Sequence, residues 1–493
     1  MLLTMGISLY TSRLVLKALG AEDFGVYDVV GGFVSLFAVI NGALSAGTSR
    51  FIIYELGRGD KDILRKTFSA SYGIHVLIAV IVFILAETIG LWYLNTYMVI
   101  PEGRLSAANW VYQFSVISII FGLTQVPYNA LIIAYERMKI YAWISIVEVT
   151  FKLLMIYFLL YINSIDKLIY YGLLLCVWSV SIRYYCRFYC VRRFPESKLM
   201  IVKEKEYYTR MLSFSFWDLM GHFCVAGNLQ GINLLINYFF GVIVNAARGI
   251  AYRVEGAIMQ FSNNFMLAVK PQIVKLYAAG QIDKMVSLVF ESSKYSFFLL
   301  YIVALPVFLD ADYVLGIWLG DVPEQSALFV RCVIIICMIR SFASPVVQAV
   351  HATGNIKWLN LYAGGASILL SIPSTYLFFK LGYPPVVSFY VIGITGLICN
   401  LLELYVLKKE IPFGILKYVV QVYGKGILIF LLSATPLYFL HASMEMSFIR
   451  LLLICVTDAV LVGLLVFFIG MSSADRQKLI LLIENKISFY VKR

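Results

Sequence analysis

Apolar stretches long enough to cross a bilayer recur along almost the whole chain, at about 2–18, 26–48, 70–95, 108–133, 141–162, 168–190, 211–239, 243–268, 293–310, 326–349, 357–379, 385–407, 422–441 and 448–470. One helical span takes roughly 20 mostly apolar residues. The pattern predicts an all-α polytopic membrane protein of about 14 transmembrane helices, the first and eighth being the least apolar. With 61% hydrophobic and 14% charged residues and a mean hydropathy of +0.85, the composition lies far outside the soluble range. Fourteen spans use roughly 280 of the 493 residues, so no sizeable soluble domain fits.

The eight cysteines are scattered, with Cys186 and Cys190 the closest pair. Neither a CxxC nor a Cys/His cluster of zinc spacing occurs, so no metal, cofactor or disulfide framework is expected. The opening MLLTMGISLYTSRLVLKALG lacks a basic n-region and a small-residue cleavage site. It reads as a retained, short first span rather than a signal peptide, and its shortness leaves room for a true start a few residues upstream.

Lys and Arg near span ends are retained in the cytoplasm. One set of alternating connections plus the tail carries 29 of the 40 basic residues, including Arg58, Lys66, Arg137, Arg183, Arg192, Lys198, Lys275 and Lys408. This asymmetry predicts an even span count with both termini cytoplasmic. It also accounts for most of the +12 net charge, which is therefore no argument for nucleic acid. The longest polar connection, CVRRFPESKLMIVKEKEYYTRML, divides six spans from eight and reads as an amphipathic linker on the membrane surface. The organisation is thus an N-terminal bundle at 1–190, a linker at 191–210, a second bundle at 211–407, and two further spans with a cytoplasmic tail at 408–493.

A repeat crosses that linker. Gly20 pairs with Gly241, Arg50 with Pro271 and Gly59 with Gly280, all at an interval of 221 residues. Gly59 and Gly280 each follow an apolar helix, where a left-handed C-terminal cap favours glycine. The repeat predicts two related six-helix bundles that enter the membrane in the same sense.

Charged groups inside spans are the informative residues, because an ion at a helix centre needs a partner or a wet cavity. Arg248, Tyr252 and Glu255 fall on one face of span eight, with Arg253 at its flank. Either Arg248 pairs with Glu255 or the surplus positive charge meets an anionic ligand. Arg13 lies within span one and Arg50 ends span two. Glu148 and Lys152 in span five are spaced for a structural ion pair. Asp218 and His222 in span seven have the same spacing, and Asp218 and Glu255 are the candidates for ion coupling. The polar run Asn228, Gln230, Asn233 and Asn237 suits either helix association or a path for sugar hydroxyls. Arg331 and Arg340 in span ten line up with no evident partner.

The segments LYTSRLVLKALGAEDFGVYDVVGGF, SAGTSRFIIYELGRGDKDILRKTF and AARGIAYRVEGAIMQFSNNFMLAVKPQIVKLYAAGQIDK resemble bacterial polysaccharide lipid flippases of the Wzx type, in the multidrug/oligosaccharidyl-lipid/polysaccharide (MOP) exporter superfamily. The resemblance covers spans one, two, seven and eight, and the rest mainly by span count. It implies two six-helix bundles in a V shape around a central cavity, with two helices added outside. It further implies an undecaprenyl-diphosphate-linked oligosaccharide as substrate, moved across the bacterial inner membrane by alternating access for O-antigen, capsule or exopolysaccharide assembly. Positions matching the arginines that meet the diphosphate in related lipid II flippases are Arg13, Arg50 and Arg253, the last supported by its 18-residue distance from Pro271. Arg248 joins them on the helical-face argument. Expected partners are the lipid-linked oligosaccharide, membrane lipids and other polysaccharide-assembly proteins.

Two alternatives stay open. A multidrug or cation exporter of the same superfamily would share the fold, although acidic rather than basic cavity residues would suit its cargo. An integral-membrane glycan polymerase or acyltransferase would need long outer loops with catalytic residues. The outer connections are short and carry no Ser/His/Asp or paired-carboxylate constellation, so the chain reads as a non-enzyme.

Overall fold

The computed structural model describes residues 38–472 apart from 97, 99, 102, 162–165 and 321. It also describes residues 14, 15, 18–20, 23, 26, 27 and 30 near the N-terminus and 476, 477 and 481 near the C-terminus. The described residues are almost entirely helical, with no strand among them. The helices are α1 (Ala38–Arg58), α2 (Lys61–Thr96), α3 (Leu105–Ala134), α4 (Met138–Tyr161), α5 (Lys167–Arg193), α6 (Lys205–Ala278), α7 (Ile282–Leu309), α8 (Ala311–Leu319), α9 (Ser326–Thr353), α10 (Lys357–Lys380), α11 (Val387–Glu410), α12 (Ile415–Ala442) and α13 (Phe448–Gly470). Eleven described helices are long and apolar enough to cross a membrane, and the protein is a multi-span membrane protein. The expected first span, 2–18, lies mostly outside the described residues. The expected eighth, 243–268, is helical but too polar to qualify on apolarity, because Arg248, Arg253 and Glu255 sit within it.

Helix α6 holds the sharpest departure from a regular rod. Gly241 adopts φ 79° and ψ −173° in its middle. Arg248 hydrogen-bonds Asn233 and the Leu229 carbonyl, groups that would lie about 22 Å or more away along an unbroken helix. The chain therefore doubles back at Gly241, and α6 is two antiparallel helices, 205–240 and 243–278. A residue with positive φ strains any side chain bearing Cβ, which explains a glycine at this point in an otherwise apolar run.

The chain divides into two compact units, Met1–His222 and Phe223–Arg493. In the first, α3 is the central helix and packs along α1, α2 and α5. Its Tyr112 is fully buried and donates to the Ala86 carbonyl at 2.8 Å, at the start of a wide π turn within α2. Asp60 and Asp166 cap α2 and α5 by accepting from backbone N–H groups of the first turn. Arg104 bridges Asp166, at 2.8 Å, and Asp23, tying the starts of α3 and α5 to the N-terminal segment. In the second unit α9 is central, flanked by α7 and α11, with Phe297 stacked on Phe342 and Tyr418 hydrogen-bonded to Ser293 and the Phe342 carbonyl. A Cβ on Gly426 would come 2.7 Å from the Phe342 ring, so glycine is what admits α12 to that core.

The repeat is more extensive than three residue pairs. Helices start at 61 and 282, 105 and 326, 138 and 357, and 167 and 387, intervals of 221, 221, 219 and 220. Gly20 and Gly241 share φ of 82° and 79°, and Gly59 and Gly280 share 82° and 71°. Matching helix starts and matching left-handed residues point to one helical plan used twice, with α12 and α13 following the second copy.

The connection from α5 to α6 is mostly non-helical. After a single 3-10 turn at Pro195–Ser197 it runs without helix to Glu204. It is tied to α2: Arg65 donates to the Lys198 carbonyl at 2.9 Å, the Met200 N–H to Ser69 at 3.1 Å and Lys66 to Glu204 at 2.7 Å. The four apolar residues of PESKLMIV stand in one consecutive run, Leu199–Val202, rather than at helical spacing, and backbone bonding to α2 satisfies the segment instead.

Two predictions follow from these contacts. Gly241→Ala, whose Cβ meets nothing within 4 Å, should lower stability by about 1–3 kcal/mol through backbone strain alone, read as an earlier unfolding transition in detergent. The Lys66 ammonium holds the Glu204 carboxyl below the ordinary carboxylate range. That contact is therefore at full strength above the ordinary glutamate pKa and is lost as pH falls through the lowered one. Amide protection at 198–204, taken relative to the intrinsic exchange rate at each pH, should fall on acidification, and Glu204→Gln should remove that change in protection.

Candidate functional site

In the second unit the site starts from the α6 hairpin. Arg248 is buried, 5% exposed, against the Tyr252 ring at 4.4 Å. Its two terminal nitrogens donate to Asn233 Oδ1 at 3.1 Å and to the Leu229 carbonyl at 2.9 Å, and its Nε has no hydrogen-bond partner. Among the described residues no carboxylate forms a salt bridge with it. Neutral groups fix where the guanidinium points without cancelling its charge, an expensive arrangement in an apolar setting. Asn233, from the polar run, thus holds the arginine, while Gln230 and Asn237 are exposed.

Glu255 does not pair with Arg248. Its partner is Arg340 of α9, at 2.8 Å, with the Glu255 side chain 13% exposed. Spacing along one helix favours the Arg248 contact, but Arg340 of α9 places a guanidinium at hydrogen-bond distance. Arg331, also on α9, pairs with Asp312 at 2.6 Å and donates to the Phe308 carbonyl. Near Arg340, Glu403 of α11 turns a buried Oε2 with no hydrogen-bond partner inward, and Asn400 one turn earlier bonds the Ile339 carbonyl and Tyr423. The second unit therefore holds a polar seam of Arg248, Tyr252, Glu255, Arg340, Asn400 and Glu403. Arg253 is exposed, at the flank of that seam.

In the first unit Arg50 is 1% exposed, its guanidinium 4.6 Å from the Phe51 ring centre and 4.8 Å from that of Tyr54. Buried Glu55 lies one turn on, 3.9 Å from Arg58. Asp218 is buried, and His222 approaches it through both the Asp218 carbonyl, at 3.0 Å, and the carboxylate, at 3.7 Å. Lys152 donates to Glu148 at 2.7 Å on the half-exposed face of α4. Arg13 lies outside the described residues. Arg50, Asp218 and Glu148 thus occupy separate places within the unit.

One residue assigned to a basic connection belongs inside the bundle. Arg183 is 4% exposed on α5, donates to Thr124 at 3.2 Å and Tyr72 at 3.0 Å, and lies over Tyr128 at 5.4 Å, with its Nη1 unpartnered. Its place near other arginines in the sequence concealed it; the helical register, four residues before Arg187 and nine before Arg192, was the available signal. With α5 and α11 offset by 220 residues, Arg183 corresponds to Glu403. The two copies of the plan carry opposite charges at one equivalent inward position.

A double-mutant cycle tests the pairing. Glu255→Gln with Arg340→Met should show a coupling of about 0.5–3 kcal/mol in unfolding measurements, and Glu255→Gln with Arg248→Met, which share a seam but no salt bridge, a smaller one.

Neither a family model nor a curated protein matches the chain. Solved structures do. A structure described as the outward-facing conformation of a multidrug resistance MATE family transporter of the MOP superfamily aligns with TM-score 0.70 and 12% identity over 83% of this chain and 93% of its own. A MOP superfamily transporter from Pyrococcus furiosus, described by the reverse polarity of its binding pocket, aligns with TM-score 0.68 and 13% identity over 82% and 92%. A mutant of the Vibrio cholerae MATE transporter VcmN aligns with TM-score 0.67 and 15% identity over 82% and 92%. The chain has the fold of the MATE and other MOP-superfamily transporters.

Proposed function

We propose that the chain is a transporter that moves an undecaprenyl-diphosphate-linked oligosaccharide across the bacterial cytoplasmic membrane by alternating access, in the manner of polysaccharide lipid flippases. The observation that carries this reading is Arg248: a buried guanidinium with an unused donor, aimed by neutral partners and balanced by no carboxylate of its own. A diphosphate is a strong anion that bidentate arginine suits. Meeting it would lower the cost of passing the head group while the prenyl tail stays in lipid. Arg13, Arg50 and Arg253 are the further diphosphate contacts in this reading, with Asp218 and Glu255 as coupling groups. Membrane lipids and other polysaccharide-assembly proteins are the partners it requires. The cytoplasmic placement of both termini belongs to the same proposal and rests on the basic connections.

A multidrug or cation exporter is the second reading, and two observations favour it. One aligned structure is described as multidrug resistance transporter, and Glu403 supplies a carboxylate oxygen with no hydrogen-bond partner in the same seam as Arg248. Arg248→Ala separates the two. For the flippase, export of surface polysaccharide in cells and leaflet transfer of lipid-linked oligosaccharide in vesicles should drop by at least about tenfold, the equivalent of one lost charged hydrogen bond. Arg248→Lys should keep part of the activity. Unchanged oligosaccharide transfer by folded Arg248→Ala protein, with drug efflux lost, would leave the exporter.

A further inference from the structure

Helix α13 buries a carboxyl that neither reading uses. On α13 the inward stripe is Arg450, Ile454, Asp458 and Val462, spaced four residues apart, while Leu452, Val456, Val460 and Leu464 are exposed. Asp458 is 0% exposed, and neither of its oxygens has a hydrogen-bond partner. It lies ten residues into the helix, about 15 Å from its start, so it sits near mid-span rather than at an end where water could reach it.

Three helices enclose it: α13 packs against α7 and α12. From α7 the facing polar group is fully buried Tyr301, which is bonded to Ser433 of α12 at 2.8 Å and lies within electrostatic reach of Asp458. Ser433 in turn donates to the Ile429 carbonyl. On α13 itself Cys455 stands one turn away, and Arg450 two turns away. Arg450 is committed to Asp310 at the end of α7, and His441 of α12 approaches the same carboxylate at 3.3 Å. At the other end of this interface Lys294 is buried against Glu291 and the Gly470 carbonyl, and Lys425 begins the helical stretch that leads to Ser433. Every cation of the three-helix interface therefore lies at one end or the other, and none of them forms a salt bridge with Asp458.

A carboxylate anion in such a place would carry an uncompensated charge in an apolar interior, at a cost far above that of a neutral acid. We propose that Asp458 is a proton-binding site in the α7–α12–α13 interface, occupied in the conformation described here. Binding takes one proton from water and leaves a neutral carboxylic acid. Release returns that proton to water and leaves one negative charge, which favours hydration and so loosens α13 from α7 and α12. The site shares no residue with the Arg248 seam, and its test does not depend on which cargo is carried.

Infrared difference spectroscopy of the full-length protein in lipid, stepped from acid to alkaline pH, reads the proton directly. A protonated-carboxyl band should be present at acid pH, vanish as pH rises, be indifferent to sodium, and be missing in Asp458→Asn; Asp458→Glu should shift the band and supplies the assignment if the asparagine variant fails to fold. In parallel, the wild type should lose stability with rising pH relative to Asp458→Asn, by up to about tenfold in the unfolding equilibrium per pH unit for one proton. Absence of a band that depends on residue 458, or a band unchanged up to alkaline pH, would overturn the proposal. Loss of the band on adding sodium at fixed acid pH would overturn it too, in favour of a cation site.

Discussion

An ionisable group inside an apolar span must find its counterpart within the protein, since lipid offers none. The structure solves this in three different ways. Glu255 and Arg340 neutralise each other between helices. Arg183 and Arg248 are held by hydroxyls, an amide, a carbonyl and aromatic faces, which satisfy donors but leave the charge. Neither oxygen of Asp458 has a hydrogen-bond partner. Only the first arrangement is closed; the other two leave something for a ligand or a proton to complete.

The doubled plan explains how one chain holds these different solutions. Each copy places a helix start, a left-handed glycine and an inward helical face at nearly constant intervals. The backbone requirements are strict, because a glycine reverses the chain at Gly241 and ends helices at Gly59 and Gly280. Side chains on the repeated faces are under no such constraint. Arg183 in one copy and Glu403 in the other occupy one equivalent position with opposite charge. The scaffold is set by glycine and apolar periodicity, and the chemistry by a few inward substitutions.

Much of the architecture was legible in the chain. Span-length apolar runs foretold the helices because bilayer thickness sets their length, and the glycine interval foretold the repeat because only glycine tolerates positive φ cheaply. The Glu148–Lys152 spacing needed nothing beyond one helix. Glu255, by contrast, has candidates on its own helix and a closer one on α9, and no single-helix argument ranks them. Arg183 looked like one of several cytoplasmic arginines, since positive charge near a span end is ordinary and the span boundary there is blurred by Tyr184, Tyr185 and Phe188. Asp458 and Arg450 passed unremarked in the most apolar of the described spans, where a single acid barely alters the hydropathy.

By itself, then, the chain determined that it is a multi-span helical protein built on a repeated plan, because those properties follow from local periodicity, backbone sterics and the thickness of a bilayer. Tertiary structure alone decided which charges meet: that Glu255 turns to Arg340, that Arg248 is aimed by Asn233 across a hairpin, and that Asp458 faces two helices with nothing to answer it. Pairing between helices depends on register and packing over long sequence separations, and in an apolar interior a displacement of one helical turn separates a neutral pair from a buried charge.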